Sequence, residues 1–131
     1  MTGSVNQLGE IQPIGGANEK IEGFFESCSR RGLTGKQGVI IPARNTKHLA
    51  LRRDVVEAVE SGHFSVYAVN TIEEALELLT GIVAGERDLD GTYPSDSVFG
   101  RAAQRLEEMA QAVAEWSEGE RETERAYHYG P

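Results

Sequence analysis

Of the groups in this chain that could move a proton, Lys20 stands in the most unusual place. It follows Pro13-Ile14-Gly15-Gly16-Ala17-Asn18-Glu19 and falls in the first turns of a predicted helix. The N-terminal end of a helix dipole favours anions, so a lysine there contributes nothing to stability. The ordinary reading is a solvated surface lysine. The chemical reading is a general base. A lysine accepts a proton only when neutral, so its pKa must be lowered by burial among apolar groups or by another cation. The tight Gly-Gly turn with Ile21 and Phe24 offers such burial, and the expected partner is a serine hydroxyl to be activated.

The other candidates are weaker. Gly32-Leu33-Thr34-Gly35-Lys36 suggests a phosphate loop and fails as one. Its first glycine lies too close to the second, and Gln37 stands where a serine or threonine is required. His48, His63 and His128 are scattered without metal-ligand spacing and read as surface or capping residues. Glu73-Glu74 and Glu107-Glu108 read as solvated helix faces. Cys28 is the single cysteine, which excludes an internal disulfide and a cysteine-based zinc cluster. It falls on the apolar face of a helix, as packing material.

The elements that must position Lys20 follow from local pattern. Ser4-Val5-Asn6 and Ile11-Gln12-Pro13-Ile14 are short strands around the turn Gln7–Glu10, with Pro13 marking an edge or a strand end. Gly15-Gly16 suits an abrupt strand-to-helix turn. Ile21, Phe24, Phe25 and Cys28 recur at helical spacing over residues 17–31, with Arg30 and Arg31 in the last turn and Gly32 after it. Val39-Ile40-Ile41-Pro42 is an apolar run of the kind buried on both faces of a sheet. Asn45 is expected to cap a short helical turn through Leu51. A helix over Arg53–Ser61 carries Val55, Val56 and Val59 on one side. Phe64–Val69 reads as a strand. Thr71 and Glu74 form a capping box, and the helix it starts buries Ile72, Ala75, Leu76 and Leu79 before Gly81 stops it.

This alternation over residues 11–81 predicts an α/β core with some parallel pairing. Residues 82–96 then read as a linker. A long helix over 97–118 carries a stripe of Ala102, Leu106, Met109, Val113 and Trp116. That stripe either packs on the core or joins a subunit contact. The polar end, Glu118–Pro131, is expected to fray.

The totals fit one domain with an appendage: 131 residues, 39% of them hydrophobic. A net charge of −8 argues against a nucleic-acid backbone or an anionic membrane as the main partner. No apolar run approaches the roughly 20 residues that span a bilayer, and the N-terminus lacks the layout of a signal peptide. The chain reads as soluble and cytoplasmic.

Thr2-Gly3-Ser4, followed by Gly9-Glu10-Ile11-Gln12-Pro13-Ile14-Gly15-Gly16-Ala17-Asn18-Glu19-Lys20, resembles the second half of the proteolytic domain of Lon proteases. The family pattern is Thr-Gly, a few residues, Gly, then Pro-Ile-Gly-Gly, two variable residues and Glu-Lys. The order of elements agrees as well. A helix leads to a strand ending in Ile-Pro with an asparagine shortly after (Ile40-Ile41-Pro42, Asn45), then a helical pair, a strand, and a helix of the type Ile-Glu-Glu-Ala-Leu (Ile72–Leu76). The resemblance covers about residues 2–81 and is closest to the bacterial Lon-like, B-type branch.

The resemblance implies a partial Lon-type proteolytic domain, with a small mixed sheet and flanking helices over residues 1–81 and a helical extension over 97–131. It implies an ATP-dependent serine endopeptidase that degrades proteins, assembled as a hexameric ring, with a Ser–Lys dyad. The dyad lysine corresponds to Lys20, and Thr2 would lie near it. ATP and magnesium would belong to an ATPase module, with no cofactor or metal held by this chain. The family places its nucleophilic serine upstream of the Thr-Gly pair. None of Ser4, Ser27, Ser29, Ser61, Ser65, Ser95, Ser97 and Ser117 stands in that motif. The expectation is therefore a fragment of the endopeptidase that is inactive alone. Alternatives are a non-catalytic module serving subunit assembly and a small-molecule binding domain, the latter without a pocket signature.

Overall fold

A computed structural model describes residues 1–128, with side chains described as far as Ser117. The chain divides into two units, one spanning Met1–Gly81 and one beginning at Ile82.

The first unit is built on its most apolar strand. Strands β1 (Ser4–Val5) and β2 (Ile11–Gln12) form an antiparallel hairpin with Ser4 opposite Gln12. Asn6 closes its turn, its side-chain oxygen accepting the N–H groups of Leu8 and Glu10. Helix α1 (Ala17–Ser29) leads to strand β3 (Gly38–Pro42), a 3₁₀ turn (Ala43–His48) and helix α2 (Arg53–Glu60). Strand β4 (Ser65–Val69) and helix α3 (Ile72–Thr80) complete the unit. β3 and β4 pair in parallel, from Gly38 opposite Ser65 to Pro42 opposite Val69.

The expected mixed α/β class and its parallel pairing are present. The strands form two separate two-stranded sheets, where a single mixed sheet was expected. Backbone bonds from Thr2 N–H to the Ile40 carbonyl and from Ile11 N–H to the Asn70 carbonyl tie the two together.

The run Val39-Ile40-Ile41 is uniformly apolar because β3 is covered on both faces. Val39 and Ile41 join Ile21, Phe25, Val55 and Phe64 in one cluster, while Ile40 joins Ile11, Val69 and Ala75 in the other. Phe25 meets Phe64 edge-on at 5.2 Å between ring centroids, a favoured aromatic geometry.

Other expectations need correction. Helix α1 ends at Ser29, so Arg30 and Arg31 lie just beyond its last turn. On α2 only Val55 is buried; Val56 and Val59 are exposed. On α3 Ala75 is buried and Ile72 and Leu76 are half-buried, but Leu79 is 60% exposed. The β3–β4 pair is too narrow to cover a broad helix face, and Tyr67 and Ala68 of β4 are exposed too. Thr71 caps α3 by accepting the Glu74 N–H at 3.4 Å. The reciprocal bond goes to Glu74 from the Asn70 N–H at 2.7 Å, one residue before the cap.

In the second unit, Ser97 is buried. It donates its hydroxyl to the Pro94 carbonyl and accepts the Gly100 N–H, which starts the next helix. That helix, α4 (Val98–His128), runs past the expected end at residue 118. Ala102, Leu106, Met109, Val113 and Trp116 are all exposed along it. Residues 129–131 of the tail expected to fray lie outside the described residues.

The burial pattern sets an expected contrast. Ile41→Ala should cost about 2–5 kcal/mol of unfolding free energy through lost burial and a cavity. Leu79→Ala should stay within about 0.5 kcal/mol. Urea denaturation of both variants checks this, and equal losses would contradict the exposed placement of Leu79.

Candidate functional site

The turn between β2 and α1 sets the position of Lys20. Gly16 sits at the helix N-cap with φ 67° and ψ 31°, the left-handed region, and no side chain caps the helix there. Its carbonyl accepts the Lys20 N–H at 3.1 Å. Lys20 is therefore held by the first full turn of α1, four residues after a glycine whose conformation other residues avoid.

Lys20 opens onto a pocket of about 240 Å³ lined by Met1, Thr2, Lys20, Phe24, Gly38 and Val39. Each wall has its own cause. Phe24 follows Lys20 by one helical turn and leans toward Phe64, 6.3 Å away between centroids. Thr2 arrives because its backbone N–H is bound at 3.0 Å to the Ile40 carbonyl of β3. Gly3 follows in the same segment, where a Cβ would stand 3.4 Å from both Ile11 and Pro42, in ordinary contact. Gly38 faces a neighbour so near that a Cβ would fall 2.7 Å from the Ser65 carbonyl oxygen.

Lys20 and Thr2, the two residues singled out from the sequence, thus line one pocket. The expected burial of Lys20 is not present: its side chain is exposed. Successive helical residues project about 100° apart, so Ile21 turns fully into the core while Lys20 points away from it. Phe24 is 46% exposed and supplies only one side of an enclosure. Among the described residues no serine lines the pocket.

The other candidates resolve into structural roles. In the segment Gly32–Lys36, the Gln37 side chain accepts from both the N–H and the hydroxyl of Thr34 and donates to the Gly32 carbonyl. A strand follows this loop, not a helix, so it is closed on itself and offers no phosphate cradle. Ser61 and His63 lie 2.9 Å apart at the exposed end of α2, but the Ser61 hydroxyl is also donated to the Glu57 carbonyl, which makes it a helix cap. His48 is exposed at the end of the 3₁₀ turn, Cys28 is half-buried on α1, and the side chain of His128 lies outside the described residues. Among the described residues no group of three or more His, Cys, Asp or Glu is placed to hold a metal ion, and no helix is long and apolar enough to cross a membrane.

Sequence reasoning missed the role of Asn45. It was expected to cap a turn; it is buried inside one, with its amide turned toward Ile14. The Ile14 N–H donates to Asn45 Oδ1 at 3.0 Å, and Asn45 Nδ2 donates to the Ile14 carbonyl at 2.8 Å. Asn18 and Glu22, one turn apart on α1, bind the backbone of the segment after the 3₁₀ turn. Asn18 accepts from the Ala50 N–H and Glu22 from the Arg52 N–H. No spacing rule reveals contacts between residues 30 or more positions apart.

No family model matches the chain. Among curated proteins it is 57% identical over 83 residues to a Lon protease homologue of Escherichia coli, covering 63% of this chain and 14% of that protein. It is 46% identical over 110 residues to a Lon protease homologue of Haemophilus influenzae, covering 84% of this chain and 18% of that protein. An archaeal Lon protease of Thermococcus kodakarensis is 41% identical over 78 residues, 60% of this chain and 10% of its own length. The chain spans less than a fifth of the length of these relatives.

The turn that presents Lys20 depends on Gly16. Gly16→Ala should cost about 1–2 kcal/mol because a Cβ is disfavoured in left-handed backbone. Gly16→Asn should cost less, since asparagine tolerates that region. Chemical denaturation measures both, and an alanine variant as stable as the parent would rule out the left-handed turn.

Proposed function

Over the stretch it shares with them, this chain is a relative of the Lon proteases, and on that premise we propose that it is the lysine-bearing part of a serine endopeptidase. Lys20 is the general base of a Ser–Lys dyad. Neutral Lys20 takes the proton of a serine hydroxyl as that oxygen attacks a peptide carbonyl. The resulting ammonium protonates the leaving amine. Thr2 lines the same pocket as the base. The serine and the oxyanion-binding groups come from parts of the intact protein beyond these residues. ATP and magnesium act in an ATPase module there, and the assembly is a ring that takes protein substrates.

What supports this reading is that Lys20 and Thr2, distant in sequence, line a single pocket at the start of α1. A second reading, a non-catalytic module for subunit assembly, has the exposed apolar stripe of α4 in its favour. Light scattering tests this second reading: a discrete oligomer that Leu106→Glu with Val113→Glu dissolves supports assembly through α4, and a monomer counts against it.

The chain alone is expected not to hydrolyse casein. Expressed from its full reading frame, the protein should cleave casein or a fluorogenic peptide. Lys20→Ala should then lower kcat by about a thousandfold or more, as loss of a dyad member does. Unchanged cleavage by Lys20→Ala would falsify the dyad assignment.

A further inference from the structure

We infer that Asn45 is a positioning residue for Lys20: its amide clamps Ile14 and thereby fixes how helix α1 enters the pocket. The inference rests on reading Lys20 as the base. Strand β2 ends at Gln12, and Pro13 has no N–H to donate. Gly15 and Gly16 come next, and around Gly15 a Cβ would meet nothing within 4 Å. Two successive glycines, the second in left-handed backbone, leave the direction of the helix start weakly determined by the local chain. Ile14 is the last residue before them, and one side chain takes both of its backbone polar groups.

An amide is planar and carries a donor and an acceptor on the same side. Two bonds to the same residue therefore fix the orientation of Ile14, as a neighbouring strand would. Asn45 can do this because it is itself anchored. It is 7% exposed and belongs to the 3₁₀ turn that continues directly from Pro42 of β3. The same β3 supplies Gly38 and Val39 to the pocket and binds Thr2 through the Ile40 carbonyl. Asn45 thus sets one wall of the pocket, α1 with Lys20, against the other wall, β3. Displacement of a reacting group by about 1 Å can cost up to roughly a hundredfold in rate.

Asn45→Asp and Asn45→Ala test this. A protonated carboxylic acid offers the same donor and acceptor as the amide, whereas the ionised form only accepts and faces the Ile14 carbonyl. In the 131-residue chain, NMR of Asn45→Asp at neutral pH should show displaced amide signals for Gly15, Gly16 and Lys20. Acidification should return them to the positions of the parent chain at the same pH, while signals of Phe64 and Val55 stay in place throughout. A residue that only stabilises the fold would shift the core signals together with the turn, or shift neither, and either result overturns the inference.

In the protein from the full reading frame, Asn45→Ala should lower kcat roughly ten- to hundredfold with KM within about twofold. Val55→Ala destabilises the core from α2, outside the Asn45–Ile14 contact, and should leave kcat within about twofold when assayed below its unfolding temperature. If Lys20→Ala abolishes cleavage but Asn45→Ala does not slow it, the positioning role falls and the dyad stands. If Lys20→Ala cleaves normally, the dyad falls and takes this role with it, even where the NMR displacement is seen.

Discussion

The peptide groups of β3 lie in an interior that water does not reach, and the first unit is arranged around satisfying them. β4 pairs along one edge in parallel register. On the other edge the Ile40 carbonyl accepts the Thr2 N–H. Buried peptide groups left unpaired cost about as much as a lost hydrogen bond each, so the N-terminal segment and β4 are held to β3 by the same requirement. Its side chains impose a second demand. Ile41 and Val39 need cover on one face and Ile40 on the other, which draws in α1 and Phe64 on one side and β2 with α3 on the other. The pocket at Lys20 is a by-product of this packing, formed where α1, the N-terminal segment and the first residues of β3 converge.

Features whose cause is local were legible in the sequence. Gly16, Gly32 and Gly81, read as punctuation at the ends of helices, all adopt left-handed backbone. The apolar run at residues 39–41 proved to be a strand covered on both faces, because no alternation with polar residues is needed when neither face meets water. Patterns failed where the answer depended on what lies across from a residue. Val56, Val59 and Leu79 have the spacing of a buried face, but spacing says which residues share a face and nothing of whether that face is covered. The number of sheets was illegible for the same reason, since alternation marks a strand and leaves its partner unspecified.

The site divides along the same line. Lys20 is conspicuous from residue type and position alone, a cation where the helix dipole is unfavourable. Thr2 carries no such signal, and only the likeness to a family pattern picked it out. Asn45 was visible as a polar residue after Ile-Pro, but its bidentate contact with Ile14 arises from tertiary folding. The exposure of Lys20 also escaped the sequence, because the apolar neighbours at positions 21 and 24 turn to different sides of the helix.

Gly38 has a consequence for how such a pocket can change. Its side of the cavity is bare backbone, because a Cβ would collide with the Ser65 carbonyl and crowd the Tyr67 ring. A wall made of peptide groups presents the same shape and polarity whatever the surrounding sequence becomes. Drift in this protein can therefore reshape the pocket through the side chains of Met1, Thr2, Phe24 and Val39 but not at Gly38. That one position acts as a fixed template, and the side chains around it are where selection among ligands has room to work.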